Sequence, residues 1–372
     1  MRGLQRWLGG RFGLRLLSRY LLVLGVIAAI AGACAFSFGL YDVSARSGHW
    51  RITEWVLHGV YRNAVQRRAR AWQAPGLSDP GWIRLGAVHY ERGCSGCHGR
   101  PGMPRSAIPR VMEPEPPHIA DAVAGWAPNE LGWIVHEGVK MTGMPHWPAR
   151  SRPDEVWPVV AFLRRVRGMT AGEYRRLVQG AASGPLVAAN APARNLDTEL
   201  SACSACHGPD GRPAAPGFTP RLDAQSARYM RDALRAYAHD RRDSGFMSLQ
   251  LMGMDDATFA ALARHYAAQP PLALDMPVDP RLLARGRAVA DGDGGRNPRC
   301  RGCHGPKASP RNPAYPTLAG EHPAYLERQL RLFDAGSRGG GPHAHLMRRV
   351  SHRLEPADMR AVAHWYAAQH RQ

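Results

Sequence analysis

The chain has 372 residues, a formal net charge of +19 and 44% hydrophobic residues, room for about two to four domains rather than one large enzyme core. Nearly all the positive charge is arginine, with Lys140 and Lys307 the only lysines, so the counterpart is nucleic acid, anionic lipid or an acidic protein, or the charge is simply a solvated surface. Of seven cysteines, six lie in three Cys-x-x-Cys pairs and only Cys34 is left over, which excludes a disulfide framework.

Residues 1–20 carry five arginines and no acid, and residues 21–40 have no charge at all. Twenty such residues span a bilayer, and the basic flank keeps the N-terminus inside, so everything from Tyr41 onward is exported. Ala31-Gly32-Ala33 before Cys34 has the small residues of a signal-peptidase site. The apolar run is longer than the 7–15 residues typical of a signal peptide, which favours a retained anchor over residues 1–41. Residues 49–72 read as an amphipathic helix with Trp50, Trp55, Val56, Val60 and Tyr61 among arginines. It suits a membrane interface, over 42–79, or packing against the next domain.

A first domain is expected over 80–177. Trp82, Leu85, Val88 and Tyr90 have helical spacing and lead into Cys94-Ser-Gly-Cys97-His98. Residues 100–117 are loop, helical pattern resumes over 128–139, and a last helix runs over 154–167 with acids first and arginines last. Residues 178–198 are small, proline-interrupted and aperiodic, as in a linker. A second domain (199–270) opens on Cys203-Ser-Ala-Cys206-His207 and a third (271–372) contains Cys300-Arg-Gly-Cys303-His304. These two are an internal repeat: 254–269 and 354–369 superimpose at an offset of 100, while Pro220-Arg-Leu222 answers Pro316-Thr-Leu318 and Tyr229 answers Tyr325. The first domain keeps Pro117-His-Ile119.

Three Cys-x-x-Cys-His units, each followed by glycine, point to covalent haem: the thiols form thioethers and the adjacent histidine ligates the iron. Structural zinc would pair the units, and three do not pair evenly; a thioredoxin-like site needs a preceding strand. The reading is three covalently bound haem c groups, with Cys94, Cys97, Cys203, Cys206, Cys300 and Cys303 attaching them and His98, His207 and His304 as ligands. A carrier needs a sixth ligand, and methionine favours the reduced state. Counted back from Asp154, Thr258 and Asp358, each eight before an aromatic, Met144, Met247 and Met347 lie 10, 11 and 11 residues upstream. Met141 competes with Met144, and Met252 fits less well. His343 and His345, close to Met347, leave a bis-histidine site as a minor alternative.

Over residues 80–372 the sequence resembles the class I cytochrome c family, in which a helix bearing Cys-x-x-Cys-His crosses a C-terminal helix and a methionine loop closes the crevice. The second and third domains look most like di-haem periplasmic cytochromes c, through Pro316-Thr-Leu-Ala-Gly320 and Tyr325-Leu-Glu-Arg-Gln-Leu330. The first, with Trp133 to Trp147, looks like single-haem domains of membrane-bound respiratory cytochromes. The resemblance implies an all-α fold of three tandem cytochrome c domains, backbone carbonyls at Pro117, Pro220 and Pro316 orienting the histidines, and electron transfer with no catalytic residue. Asp223-Ala224 departs from the pattern of Ala319-Gly320. The expected protein is anchored once in a bacterial inner membrane with its haems on the periplasmic side. It passes single electrons to a terminal haem-copper oxidase through a redox partner with an acidic docking surface, nucleic acid being excluded; the alternative is the cytochrome subunit of a periplasmic dehydrogenase. A peroxidase-type haem enzyme would need an open iron site.

Overall fold

The computed structural model describes residues 11–179, 195–213, 217–270, 276–292, 299–305 and 312–369. They fall into two units, up to Trp55 and from Val56 onward. In the first, α1 (Arg11–Ser37) contains a 23-residue stretch, Arg15–Ser37, long and apolar enough to cross a membrane. Its Leu21, Leu22, Leu24, Ile27 and Ile30 are all exposed. Helix α2 (Arg51–Ala69) begins there and ends in the second unit. Its last turns pack on the first motif's segment: Val65 and Ala69 are buried, Asn129 donates to the Ala69 carbonyl (2.8 Å), and Tyr61 meets the Trp126 edge at 5.5 Å. Val56, Leu57 and Val60 on the same helix stay exposed.

Around the first motif, Asp79 caps α3 (Pro80–Gly93) by accepting the Trp82 N–H (3.0 Å), with Pro80 at the first helical position, where its missing N–H costs nothing. Short α4 (Ser95–His98) follows at once. Next come α5 (Ile119–Ala122), α6 (Pro128–Glu137), α7 (Val156–Leu163) and α8 (Ala171–Leu177). Helix α3 crosses α7 so closely that a Cβ on Gly86 would lie 1.9 Å from the Pro158 carbonyl oxygen, and Tyr90, Phe162 and Tyr174 fill the core beside the crossing. Buried Glu91 fastens this core to the motif. It accepts from Arg100 (2.6 Å) and from the Tyr174 hydroxyl (2.7 Å), while the Ser95 hydroxyl donates to its carbonyl (2.6 Å).

The second motif ends α9 (Leu196–His207), followed by α10 (Ala227–Ala238), α11 (Gly245–Leu251) and α12 (Asp256–Ala267). The third forms α14 (Cys300–His304), between α13 (Leu283–Asp291) and α15 (Pro323–Asp334), with α16 (Ala344–Ser351) and α17 (Pro356–Ala367) completing the chain. The fold is all-α, as expected. Helix α9 starts inside the stretch read as linker, because Asn195 caps it by accepting the Thr198 N–H (2.8 Å); the stretch 180–194 lies outside the described residues, as does 271–275 at the start of the expected third domain. The helix expected last, over 154–167, is α7, which runs from Val156 to Leu163, and α8 follows it as the last helix of the first segment.

The second and third segments meet through contacts that come in exchanged pairs. The Arg221 N–H donates to Glu321 and the Thr317 N–H donates to Gln225, both at 3.0 Å, and each partner is the other's counterpart at an offset of 96. Arg242 reaches the Tyr325 hydroxyl (3.5 Å) as Arg338 reaches that of Tyr229 (3.3 Å). Such exchange is the mark of an isologous, two-fold joint.

Candidate haem-binding sites

In all three motifs a main-chain carbonyl from a downstream loop holds the histidine. Nδ1–H of His98 donates to Pro117 (2.9 Å), that of His207 to Pro220 (3.1 Å) and that of His304 to Pro316 (3.1 Å). A carbonyl can only accept, so the proton sits on Nδ1 and the Nε2 lone pair is left available, with no hydrogen-bond partner among the described residues. Burial pushes His207 down to about 4 and lowers His98 and His304 as well, against the carbonyl bond that raises them. All three rings are therefore neutral near pH 7, the form in which imidazole binds a metal.

The turn after each histidine explains the sixth residue of the motif. Gly99, Gly208 and Gly305 have φ of 71°, 76° and 81° with ψ of −172°, 158° and 157°, a region essentially closed to other residues. This turn sends the chain out of the helix toward the loop that supplies the carbonyl. A tyrosine hydroxyl braces the turn from different sides: Tyr90 in α3 donates to the Gly99 carbonyl (2.5 Å), whereas Tyr266 in α12 reaches that of Gly208 (3.4 Å). Phe162, at the position equivalent to Tyr266, has no hydroxyl to give.

The paired cysteines are one helical turn apart and free of disulfides. Cys94, Cys203 and Cys300 are packed against the apolar clusters of their own segments, and Cys206 against a cluster shared with the first segment through Leu85 and Trp82. Burial pushes the Cys94 and Cys203 thiols up to about 12 and those of Cys206 and Cys300 to about 11. These are protonated thiols in apolar surroundings, unlike an activated nucleophile, and no group of three or more His, Cys, Asp or Glu side chains that could hold a metal ion occurs among the described residues. Two thiols on one turn beside a neutral histidine with a free lone pair fit a covalently held haem in each segment.

The methionines differ in setting. Met144 is half-buried in a turn, its N–H bonded to the Thr142 hydroxyl (3.1 Å) and its carbonyl to the Val139 N–H (3.1 Å). Met141, in the same turn, has φ of 62° and is 91% exposed. Met247 lies on α11 and Met347 on α16, both half-buried, so these two stand on helices rather than in the loop expected of the family. Met252 is exposed.

Sequence reading missed two side-chain systems. At the joint of the second and third segments, buried Arg221 pairs with buried Asp223 (2.6 Å) and donates to the Gly320 carbonyl (2.9 Å). The departure at Asp223 is thus half of an exchange, since Thr317 and Ala319 stand at the equivalent positions; the simultaneous change of both residues was the signal available. The other is Glu155, 1% exposed, which joins the first segment to the second.

Comparison with known proteins agrees with this geometry. The family described as cytochrome c oxidase, cbb3-type, subunit III matches residues 82–163, and the family described as cytochrome c matches residues 198–263. A thiosulfate dehydrogenase electron acceptor from Thiomonas intermedia (strain K12) is 36% identical over 201 residues, 52% of this chain and 91% of that protein. Cytochrome c4 of Azotobacter vinelandii is 33% identical over 188 residues, 46% of this chain and 86% of that protein. Among solved structures, reduced recombinant cytochrome c4 from Pseudomonas stutzeri aligns with 27% identity over 48% of this chain and 100% of that chain, at a TM-score of 0.42. The protein belongs to the class I cytochrome c family, electron carriers with covalently bound haem c.

Proposed function

We propose that the chain is a membrane-anchored tri-haem cytochrome, with cytochrome c domains at 80–177, 199–270 and 271–372, that passes single electrons toward a terminal haem-copper oxidase on the periplasmic side of a bacterial inner membrane. The observation that carries it is the threefold Nδ1–carbonyl bond, which leaves His98, His207 and His304 each with a directed lone pair beside two free thiols. Bound haem supplies an iron that gains and loses one electron. The chain attaches it through Cys94 and Cys97, Cys203 and Cys206, and Cys300 and Cys303, and ligates it through the three histidines. Met144, Met247 and Met347 complete the three sites. The outward Met141, with its left-handed backbone, supports Met144 in the first. Singly replacing Met144, Met247 or Met347 should remove about one third of the methionine-to-iron charge-transfer absorbance; an unchanged spectrum would remove that methionine from the set.

The oxidase reading draws on the match of residues 82–163 to a cbb3-type oxidase subunit and on the apolar α1, read as a retained anchor. The likeness to thiosulfate dehydrogenase electron acceptors favours a second reading, in which this chain accepts electrons from a periplasmic dehydrogenase. Both need a redox partner whose docking surface is acidic, to meet a chain of net charge +19. Pull-down of the full-length protein in mild detergent separates them: an oxidase subunit among the captured proteins supports the first, a substrate-oxidising subunit the second. Purification without detergent or proteolysis would contradict the anchor.

A further inference from the structure

Helix α11, which carries Met247, is held at its start by a side chain from another segment. Ser244 caps the helix by accepting the Met247 N–H on its hydroxyl oxygen (3.3 Å), and that hydroxyl donates to Oε1 of Glu155 (2.6 Å). The other oxygen, Oε2, accepts the Gly245 N–H (2.7 Å) and the Trp147 indole N–H (3.1 Å), while Arg152 lies 3.0 Å from Oε1. Four donors thus converge on one buried carboxylate, three of them neutral and one charged. The fit is close: a Cβ on Gly245 would lie 2.4 Å from the Trp147 indole nitrogen. Next along the helix, Phe246 packs between the His89 ring (4.4 Å) and the Trp147 ring (5.4 Å). Helix α16, which carries Met347, has no such support among the described residues: its cap residue, His343, makes no side-chain hydrogen bond to the helix start.

We infer that Glu155 is a positioning residue for the second haem site, fixing Met247 through Ser244 and the first turn of α11. The inference rests on Met247 being the ligand proposed above. A ligand's orientation and its bond to the metal depend on the groups that hold it from behind, so the first domain sets the properties of the second haem by docking, and the third haem lacks that control. Two sites built from one repeat become unequal through a residue outside the repeat.

The test uses the full-length haem-loaded protein in mild detergent. In the ferrous state each iron-ligating methionine gives one methyl proton signal far upfield, and Met247→Leu identifies the signal of Met247 by its loss. Glu155→Gln sets an amide NH2 against donors that now face an oxygen, and Ser244→Ala cuts the relay with little change in volume. Each should shift the Met247 signal and one of the midpoint potentials, leaving the other two methyl signals and potentials in place. Glu155→Ala should go further and lose about one third of the ferric charge-transfer absorbance; if it fails to fold, the milder pair decides. A Met247 signal unmoved by both Glu155→Gln and Ser244→Ala overturns the inference, as does a shift of all three signals together. If Met247→Leu removes no signal, the ligand assignment falls and the inference with it.

Discussion

The segments around Cys203 and Cys300 share a skeleton yet bury different chemistry. In both, a proline carbonyl holds the histidine and a glycine in a left-handed turn follows it. In the second, the ion pair Arg221–Asp223 and the carboxylate-braced start of α11 are added; in the third, Thr317 and Ala319 replace the pair and α16 starts without a side-chain cap bond. The main-chain carbonyl that holds each motif histidine is common to both copies of the repeat, while side chains differ where each copy meets a different neighbour. On the proposed reading, the two sites share a mechanism of attachment and differ in what tunes them.

The comparison breaks hardest at the motif itself. Replacing Cys203 and Cys206 with alanine should remove one haem of three from the purified chain, measured as pyridine haemochrome, and leave the third site's spectrum in place. Next in size is Asp223→Ala, which removes the carboxylate partner of the buried Arg221 guanidinium and should cost about 3–5 kcal/mol in chemical denaturation. Installing the third segment's residues at both positions, Arg221→Thr with Asp223→Ala, should recover most of that loss; equal destabilisation by single and double variants would show that the pair is not a unit. Gly208→Ala forces a Cβ within 2.2 Å of the Arg212 carbonyl oxygen and should cost at least the roughly 1–3 kcal/mol of the backbone conformation alone, visible as a lower melting temperature.

Glu321 and its counterpart Gln225 give a pH test of the same joint. Burial pushes Glu321 up to about 7, against the N–H bonds from Arg221 and His322 that lower it. An acid raised on folding contributes most below its unfolded value near 4.5 and loses that contribution as pH rises through about 7. Denaturation of the wild type should thus become easier between pH 5 and 8, and Glu321→Gln, which makes the joint more symmetric, should flatten this slope. A slope unchanged by the substitution would assign it elsewhere. The smallest effects separate the tyrosines. Tyr90→Phe should cost about 1 kcal/mol and Tyr266→Phe less, as its bond is longer. Tyr366→Phe should cost least, since that hydroxyl has no partner among the described residues.

What could be read from the sequence was what local pattern determines. Trp82, Leu85 and Val88 located α3, and the offset of 100 located α12 and α17, whereas the carbonyls of Pro117, Pro220 and Pro316 were implied by the family resemblance and not by local pattern. Glu155 was opaque because it is an ordinary helix-start acid until Gly245, 90 residues on, closes over it. Arg221 and Asp223 looked like noise in a repeat because only the joint pairs them. The capping signal of Asn195 was lost among small residues that lower any periodicity. Spacing singled out Met247 and Met347 as candidates but not their helices, since α11 and α16 are two turns long and short helices carry little periodic signal.

The central claim is three closed haem sites on one chain. Pyridine haemochrome per mole of full-length polypeptide, with protein quantified by amino-acid analysis, tests it most directly. The account predicts three haem c groups per chain. A ratio of two would show that one Cys-x-x-Cys-His unit, despite its held histidine and free thiols, attaches no haem, and would contradict it.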